Sequence, residues 1–223
     1  GQDASFSELS LLRRHNSDLA NDLGNLMSRL VKFVGMAFEG NIPELGPEEG
    51  PDAEVRAQAE SLPDEVRRLV LALRVETAIE TTMELVRRLN RYVVETEPFK
   101  RVKTNPARAG HTCRVALEAV RIALNCLWPI MPRKVEELLG VIAAGAPVAI
   151  LSDLHWGALT TGAHIEMTAT PFPRLDVKIE DASVAKPAKG ADVPAGDVAP
   201  AQGTTTIPMD VFQQVHLEIG TVL

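Results

Sequence analysis

Asp18-Leu-Ala-Asn-Asp-Leu-Gly-Asn-Leu-Met-Ser-Arg29 sets Leu19, Leu23, Leu26 and, one residue beyond, Leu30 at helical spacing. Residues three and four apart stack on one face of an α-helix, so the stretch predicts a helix with a leucine stripe turned inward. Asn25 and Arg29 are also four apart. At roughly 100° per residue they project together, about 80–120° away from the stripe. An amide and a guanidinium side by side on the flank of a core helix can hydrogen-bond the edges of unpaired bases. Taken alone, the same pair also reads as two solvated polar side chains.

The helical pattern spreads outward from this stretch. Residues 5–39 read as one helix, with Ser7 as its cap, an apolar series from Leu9 to Val34, and Gly40-Asn-Ile-Pro43 as its stop. A Pro- and Gly-containing loop spans 41–51. The apolar series resumes near Asp52, and Leu62-Pro63-Asp64 marks a kink or a new start. Residues 52–96 therefore read as two helices or one bent helix. Pro106 ends a basic loop, 110–128 is a long helix with Val115, Ala119, Ile122 and Leu127 inward, and Arg133–Ala143 is a short one. Amphipathic helices with short connections make an all-α bundle. Residues 147–178 lose the helical period and read as an extended segment that wraps back on the bundle. Trp156 and Phe172 are its packing anchors. Residues 179–206, rich in Ala, Pro, Gly, Asp and Lys, read as a flexible linker.

Composition narrows the function classes. Hydrophobic content of 45% and charged content of 24% are those of a globular protein, and the 4% aromatic content calls for an aliphatic core. No stretch is apolar enough to span a bilayer. Nothing reads as a signal peptide, and Cys113 and Cys126 read as buried thiols of a reducing compartment, so a cytoplasmic protein is expected. The net charge of −7 is unevenly placed. Residues 87–121 hold Arg87, Arg88, Arg91, Lys100, Arg101, Lys103, Arg108, Arg114 and Arg121 against Glu95, Glu97 and Glu118. Such an excess reads either as a phosphate-binding patch or as a solvated basic face. No Gly-rich phosphate loop, zinc motif or nucleophile setting is visible, and His15, His111, His155, His164 and His216 are scattered. No catalytic residue, metal site or bound cofactor is expected in the chain itself.

Two further stretches carry a resemblance. Asn90-Arg-Tyr-Val-Val-Glu-Thr-Glu-Pro-Phe99 ends the second helical run, and Leu127-Trp-Pro-Ile-Met-Pro132 ends the third. Together with Asn25-Leu-Met-Ser-Arg29 they resemble, in order, the anticodon-binding helical domain of methionyl-tRNA synthetases. The resemblance covers about residues 5–178, and the Trp-Gly and Phe-Pro-Arg stretches near its end are similar to those closing that domain. Ile207–Leu223, with Val215-His-Leu-Glu-Ile-Gly220, resembles the first strand of the dimerising OB-type tRNA-binding module appended to many bacterial members of the family.

The resemblance implies a division into 1–178 as anticodon-binding bundle, 179–206 as linker and 207–223 as the cut start of an OB-fold. It implies that the ATP-dependent methionine–tRNA ligase domain, with its class I signatures, lies before residue 1. Asn25 and Arg29 match the family's pair that reads anticodon base edges. Phe99 falls where the family commonly has Trp, the ring that stacks on the first anticodon base, a cytosine in methionine tRNA. Lys100, Arg101 and Lys103 come next as candidate phosphate contacts, with Arg91 as a fourth. Asn90, Arg91 and Tyr92 are otherwise expected to hold helix packing. The implied partner is the anticodon stem-loop of methionine tRNA, with no DNA and no membrane. The chain is expected to be a monomer, and an intact parent enzyme a homodimer through its OB-type module. Two alternatives stay open: a stand-alone helical tRNA-binding or scaffold protein, and the corresponding domain of another class I synthetase.

Overall fold

The computed structural model describes residues 8–142 and 150–175, and all of them lie in one compact unit, Gly1–Ile179. The linker and the OB-like strand expected over 179–223 lie outside the described residues. Among the described residues there are seven α-helical segments: α1 Glu8–Arg14, α2 Asn25–Phe38, α3 Gly50–Leu71, α4 Val75–Thr96, α5 Pro98–Arg101, α6 Pro106–Leu127 and α7 Pro132–Ile142. Between α1 and α2 the backbone is π-helical over His15–Gly24, so the first helix is continuous but locally wider than an α-helix. The expectation of an all-α bundle holds.

Helices α3, α4 and α6 form the main packing group, α2 lies against α6, and α7 packs on α6. Helix α6 sits at the centre: every residue from Arg108 to Leu127 is buried. It starts at Pro106, whose missing N–H costs nothing in a first turn, with the Asn105 side chain accepting a hydrogen bond from the Arg108 N–H. The residues expected to face inward on α6 do so, yet so does every other residue after its exposed first two, Pro106 and Ala107.

Two helix boundaries differ from the sequence expectation. Helix α3 runs through Pro63 without ending, and the proline is buried in the core. The break between α3 and α4 falls instead at Ala72–Arg74, where Leu73 adopts a left-handed conformation (φ 57°) and is 89% exposed. No Gly or Pro marks this turn. Its cause is the loss of a buried face: residues 70–76 are all exposed between buried Leu69 and Ala78. The Arg74 N–H closes the turn on the Leu69 carbonyl.

The first helix ends as its sequence predicts. Glu39 and Gly40 both take left-handed backbone, and a Cβ on Gly40 would fall 2.3 Å from the His164 ring. Only glycine fits there, because the returning segment is stitched to this corner. Ile42 N–H donates to the Ala163 carbonyl (2.9 Å), and Ile165 N–H donates to the Gly40 carbonyl (2.7 Å). Further on, Pro171 and Phe172 are buried against the π-helical segment, and Leu175 exchanges hydrogen bonds with the Asn16 side chain. The extended wrap is thus present, with Phe172 as a buried anchor and Trp156 partly buried on the core.

Candidate nucleic-acid interface

A fully buried carboxylate sets the frame in which the candidate residues stand. Asp52, in the first turn of α3, is inaccessible to solvent. It accepts two hydrogen bonds from the Arg108 guanidinium (2.6 and 2.9 Å), one from the Tyr92 hydroxyl (2.6 Å) and one from the Glu49 N–H (2.7 Å). The Gly46 N–H donates to His111 Nδ1 (2.7 Å), which leaves Nε2–H to donate to Asp52 across 3.2 Å. Burial works to raise the Asp52 pKa, but the bonds from Arg108, Glu49 and Tyr92 outweigh it and hold the carboxyl at about 2. Burial, reinforced by the Asp52 charge, pushes the Tyr92 phenol well above its ordinary value. One charge thereby ties α3, α4, α6 and the loop before α3 together.

Helix α4 hangs on that charge and ends beside α2. Asn90 Nδ2 donates to the Asp22 carbonyl (3.1 Å), fastening α4 to the π-helical segment just ahead of Asn25. Tyr92 is anchored at Asp52, and the Thr96 hydroxyl donates back to the Tyr92 carbonyl (2.6 Å). Glu97 then turns through left-handed backbone (φ 44°) and Pro98 starts the single-turn α5. Phe99 arrives on α2: its ring meets Phe33 edge-on at 4.7 Å between centroids, and the Arg29 guanidinium lies over it at 5.5 Å. Arg29 and Phe33 are one helical turn apart, so the ring is wedged between two side chains of the same helix.

The sequence-predicted residues therefore fall in two groups. Arg29 and Phe99 are in contact, and Asn25 lies one turn before Arg29 on α2, exposed. Phe99 is half-buried, neither a free surface ring nor a core residue. Arg91, Lys100, Arg101 and Lys103 are all exposed. Lys100 is paired with Glu97, and Arg101 stands 3.9 Å from Glu49, whereas Arg91 and Lys103 have no partner among the described residues. As expected, Asn90 and Tyr92 serve packing.

The basic run over 87–121 is not one surface patch. Arg108, Arg114 and Arg121 are buried. Arg114 and Arg121 flank the inaccessible Glu118 at 3.3 and 3.1 Å, and they donate to the carbonyls of Leu159 and His155 in the wrap. Glu118 also accepts from the Leu159 N–H (2.8 Å). Arg87 and Arg88 are paired with Glu80 and Glu54. Buried guanidiniums persist only when paired, and sequence counting cannot see that pairing. Spacing could have hinted at it: Arg114, Glu118 and Arg121 sit at four- and three-residue steps. Cys113 and Cys126 are buried free thiols, and burial pushes the Cys126 thiol up to about 12.

No protein-family model matches the chain. Individual relatives agree with one another. A methionine–tRNA ligase of Deinococcus radiodurans is 33% identical across 100% of the chain, which spans 36% of that protein. One from Thermotoga maritima is 30% identical, with 100% and 34% covered. The apo crystal structure of Mycobacterium tuberculosis methionyl-tRNA synthetase is 29% identical over 77% of the chain and 35% of its own, with a TM-score of 0.70. The same enzyme in complex with methionyl-adenylate gives 0.71. Fold and relatives together define the class as a helical bundle of an aminoacyl-tRNA synthetase. The chain belongs to the methionyl-tRNA synthetase family, and it spans about a third of the length of the curated relatives it matches. Among the described residues no helix is long and apolar enough to cross a membrane.

Proposed function

We propose that the bundle is the anticodon-binding part of an ATP-dependent methionine–tRNA ligase, and that Asn25, Arg29 and Phe99 contact the anticodon of methionine tRNA. The observation that carries this reading is the wedge of Phe99 against Arg29, one turn from exposed Asn25. An amide, a guanidinium and a flat ring brought together from distant parts of the chain are what an unstacked base needs: hydrogen bonds at its edge and a surface for its face. Asn25 and Arg29 supply donors for the edge of the first anticodon base, and Phe99 supplies the stacking surface. Arg91 and Lys103, free of carboxylates, are the stronger phosphate contacts, while Lys100 and Arg101 exchange a carboxylate neighbour for a phosphate. Methionine activation, ATP use and pairing into a homodimer belong, on this reading, to parts of the parent enzyme beyond the bundle.

Binding of the chain to methionine tRNA, measured beside a version with a changed first anticodon base, tests this. Tighter binding of the matched RNA is expected; equal binding of the two overturns the reading.

A further inference from the structure

A groove opens on the flank of α2 next to Asn25. It has a volume of about 300 Å³, and its polar walls are Asn21, Asn25, Ser28, Lys32, Thr170 and Arg174. Gly24 and Phe172 also line it, and a Cβ on Gly24 would stand 3.4 Å from the Phe172 ring. Through Asn21 and Arg174 it continues into a second groove of about 600 Å³, to which Arg13, Asn16 and Ser17 contribute. The two form one trough along the π-helical segment, walled on its far side by the returning wrap.

The chemistry of the trough is one-sided. In a chain of net charge −7, no carboxylate stands among the described residues lining either groove. Lys32 and Arg174 are exposed and have no carboxylate partner among the described residues, unlike Arg56, Arg68, Arg87, Arg88 and Lys134. The remaining polar groups are the Arg13 guanidinium and a set of amides and hydroxyls. Of these, Asn21 and Ser17 already donate to Asp22 and Asp18, while Asn25, Ser28 and Thr170 face the groove as donors to phosphate oxygens and ribose. Arg174 is held in place by its neighbours: Pro173 accepts from the His15 ring at its carbonyl (2.9 Å), and Leu175 is bonded to Asn16. A cation whose backbone is fixed on both sides loses less freedom on binding.

We infer that this trough, through Lys32 and Arg174, holds the sugar–phosphate of a nucleotide adjoining the base read by Asn25. The ligand class is single-stranded RNA backbone, and Asn25 is shared between the base site and the trough. This second site rests on the anticodon reading and adjoins the base site along the same side of the helix, with Asn25 between Phe99 and the trough.

The test uses the full chain and anticodon stem-loop RNAs, with matched and changed first anticodon base, across a salt series. Neutralising two phosphate contacts to single-stranded RNA lowers the slope of log affinity against log salt by about 0.7 each, so by about 1.4 for Lys32→Gln with Arg174→Gln. The affinity loss is expected to be several-fold and equal for both RNAs, as a backbone contact demands. Two methylphosphonate linkages, one on each side of the nucleotide next to the read base, are expected to remove the difference between the double variant and the parent chain, and one alone about half of it. Arg67→Gln with Arg133→Gln removes equal charge from exposed positions outside the trough and is expected to change the slope less. An unchanged slope in the trough variant, an equal change in the control pair, or indifference to the neutral linkages overturns the inference. If the parent chain discriminates between the anticodons while any of these holds, only the trough fails; if it binds neither RNA, the anticodon reading fails with it.

Discussion

Arg29 has two competing uses for its charge. In the free chain its guanidinium covers the Phe99 ring, a contact worth on the order of 0.5–1 kcal/mol at an exposed site. A base stacking on that ring displaces it, and the freed donors reach the base edge. Arg29→Ala is therefore expected to lower discrimination at one anticodon position by about 1–3 kcal/mol, while affinity for a mismatched anticodon changes little. Equal losses for matched and mismatched RNA would reduce Arg29 to a phosphate contact. Phe99 is constrained from both sides. Phe99→Leu forfeits the edge contact to Phe33, the cation above it and the stack, so it is expected to cost about 1–3 kcal/mol in RNA binding. Phe99→Trp is expected to keep or strengthen binding, because the larger ring covers more of the base. Thermal melts of both variants beside RNA titrations decide the matter: wild-type binding by the Leu variant ends the stacking assignment.

At the scale of elements, Asp52 is the most informative residue. Its folded pKa of about 2 lies below its ordinary value of 3.8. A depressed carboxylate contributes stability that is fully present above the unfolded pKa and is lost as pH falls through the folded one. The loss should accordingly run from about pH 4 to about pH 2 and amount to roughly 2 kcal/mol. Asp52→Asn is expected to remove that segment of the pH dependence. It should also cost about 3 kcal/mol at neutral pH, because Arg108 loses its buried counter-charge and keeps only the exposed Glu49, 3.3 Å away. Chemical denaturation of both proteins at pH 2, 4 and 7 checks this, and a variant that retains the acid transition points to another group.

Elements are also the scale at which sequence patterns stop being legible. The leucine stripe, the stop at Gly40 and the helix ending at Pro98 follow from periodicity and backbone chemistry, which act within a few residues. Asn25, Arg29 and Phe99 stand out by spacing and resemblance together. The burial of Arg108 depends on Asp52, far along the chain, and no local pattern encodes it. The steps between Arg114, Glu118 and Arg121 hint at their pairing but not at the wrap that buries them. Lys32 and Arg174 are invisible to such patterns for the same reason: only the returning wrap makes them neighbours of one groove.

For the molecule as a whole, recognition and chemistry are separable on this reading. The bundle has its own core, with Asp52 and Glu118 as internal charges, and its candidate RNA contacts sit on its surface. The chain is expected to fold and bind RNA without supporting methionine-dependent exchange of pyrophosphate into ATP. Exchange above background from the pure chain would show that the division is wrong.

The π-helical segment between α1 and α2 has a consequence for how insertions and deletions act. A wide stretch inside a continuous helix sets the rotational phase of the upstream turns against the downstream ones. A π-turn holds one residue more than an α-turn, so removing a residue between Ser17 and Ala20 should be absorbed by a return to α-geometry. Inserting one, by contrast, should turn the upstream half by about 100° while α2 stays seated on α6. Asn25 and Arg29 would keep their places, yet His15 and Asn16 would swing off Pro173 and Leu175. A one-residue insertion would thus unlatch the wrap and leave the base-reading face untouched, and a one-residue deletion would leave both in place. The π-turn therefore gives this helix a tolerance to shortening that it lacks for lengthening.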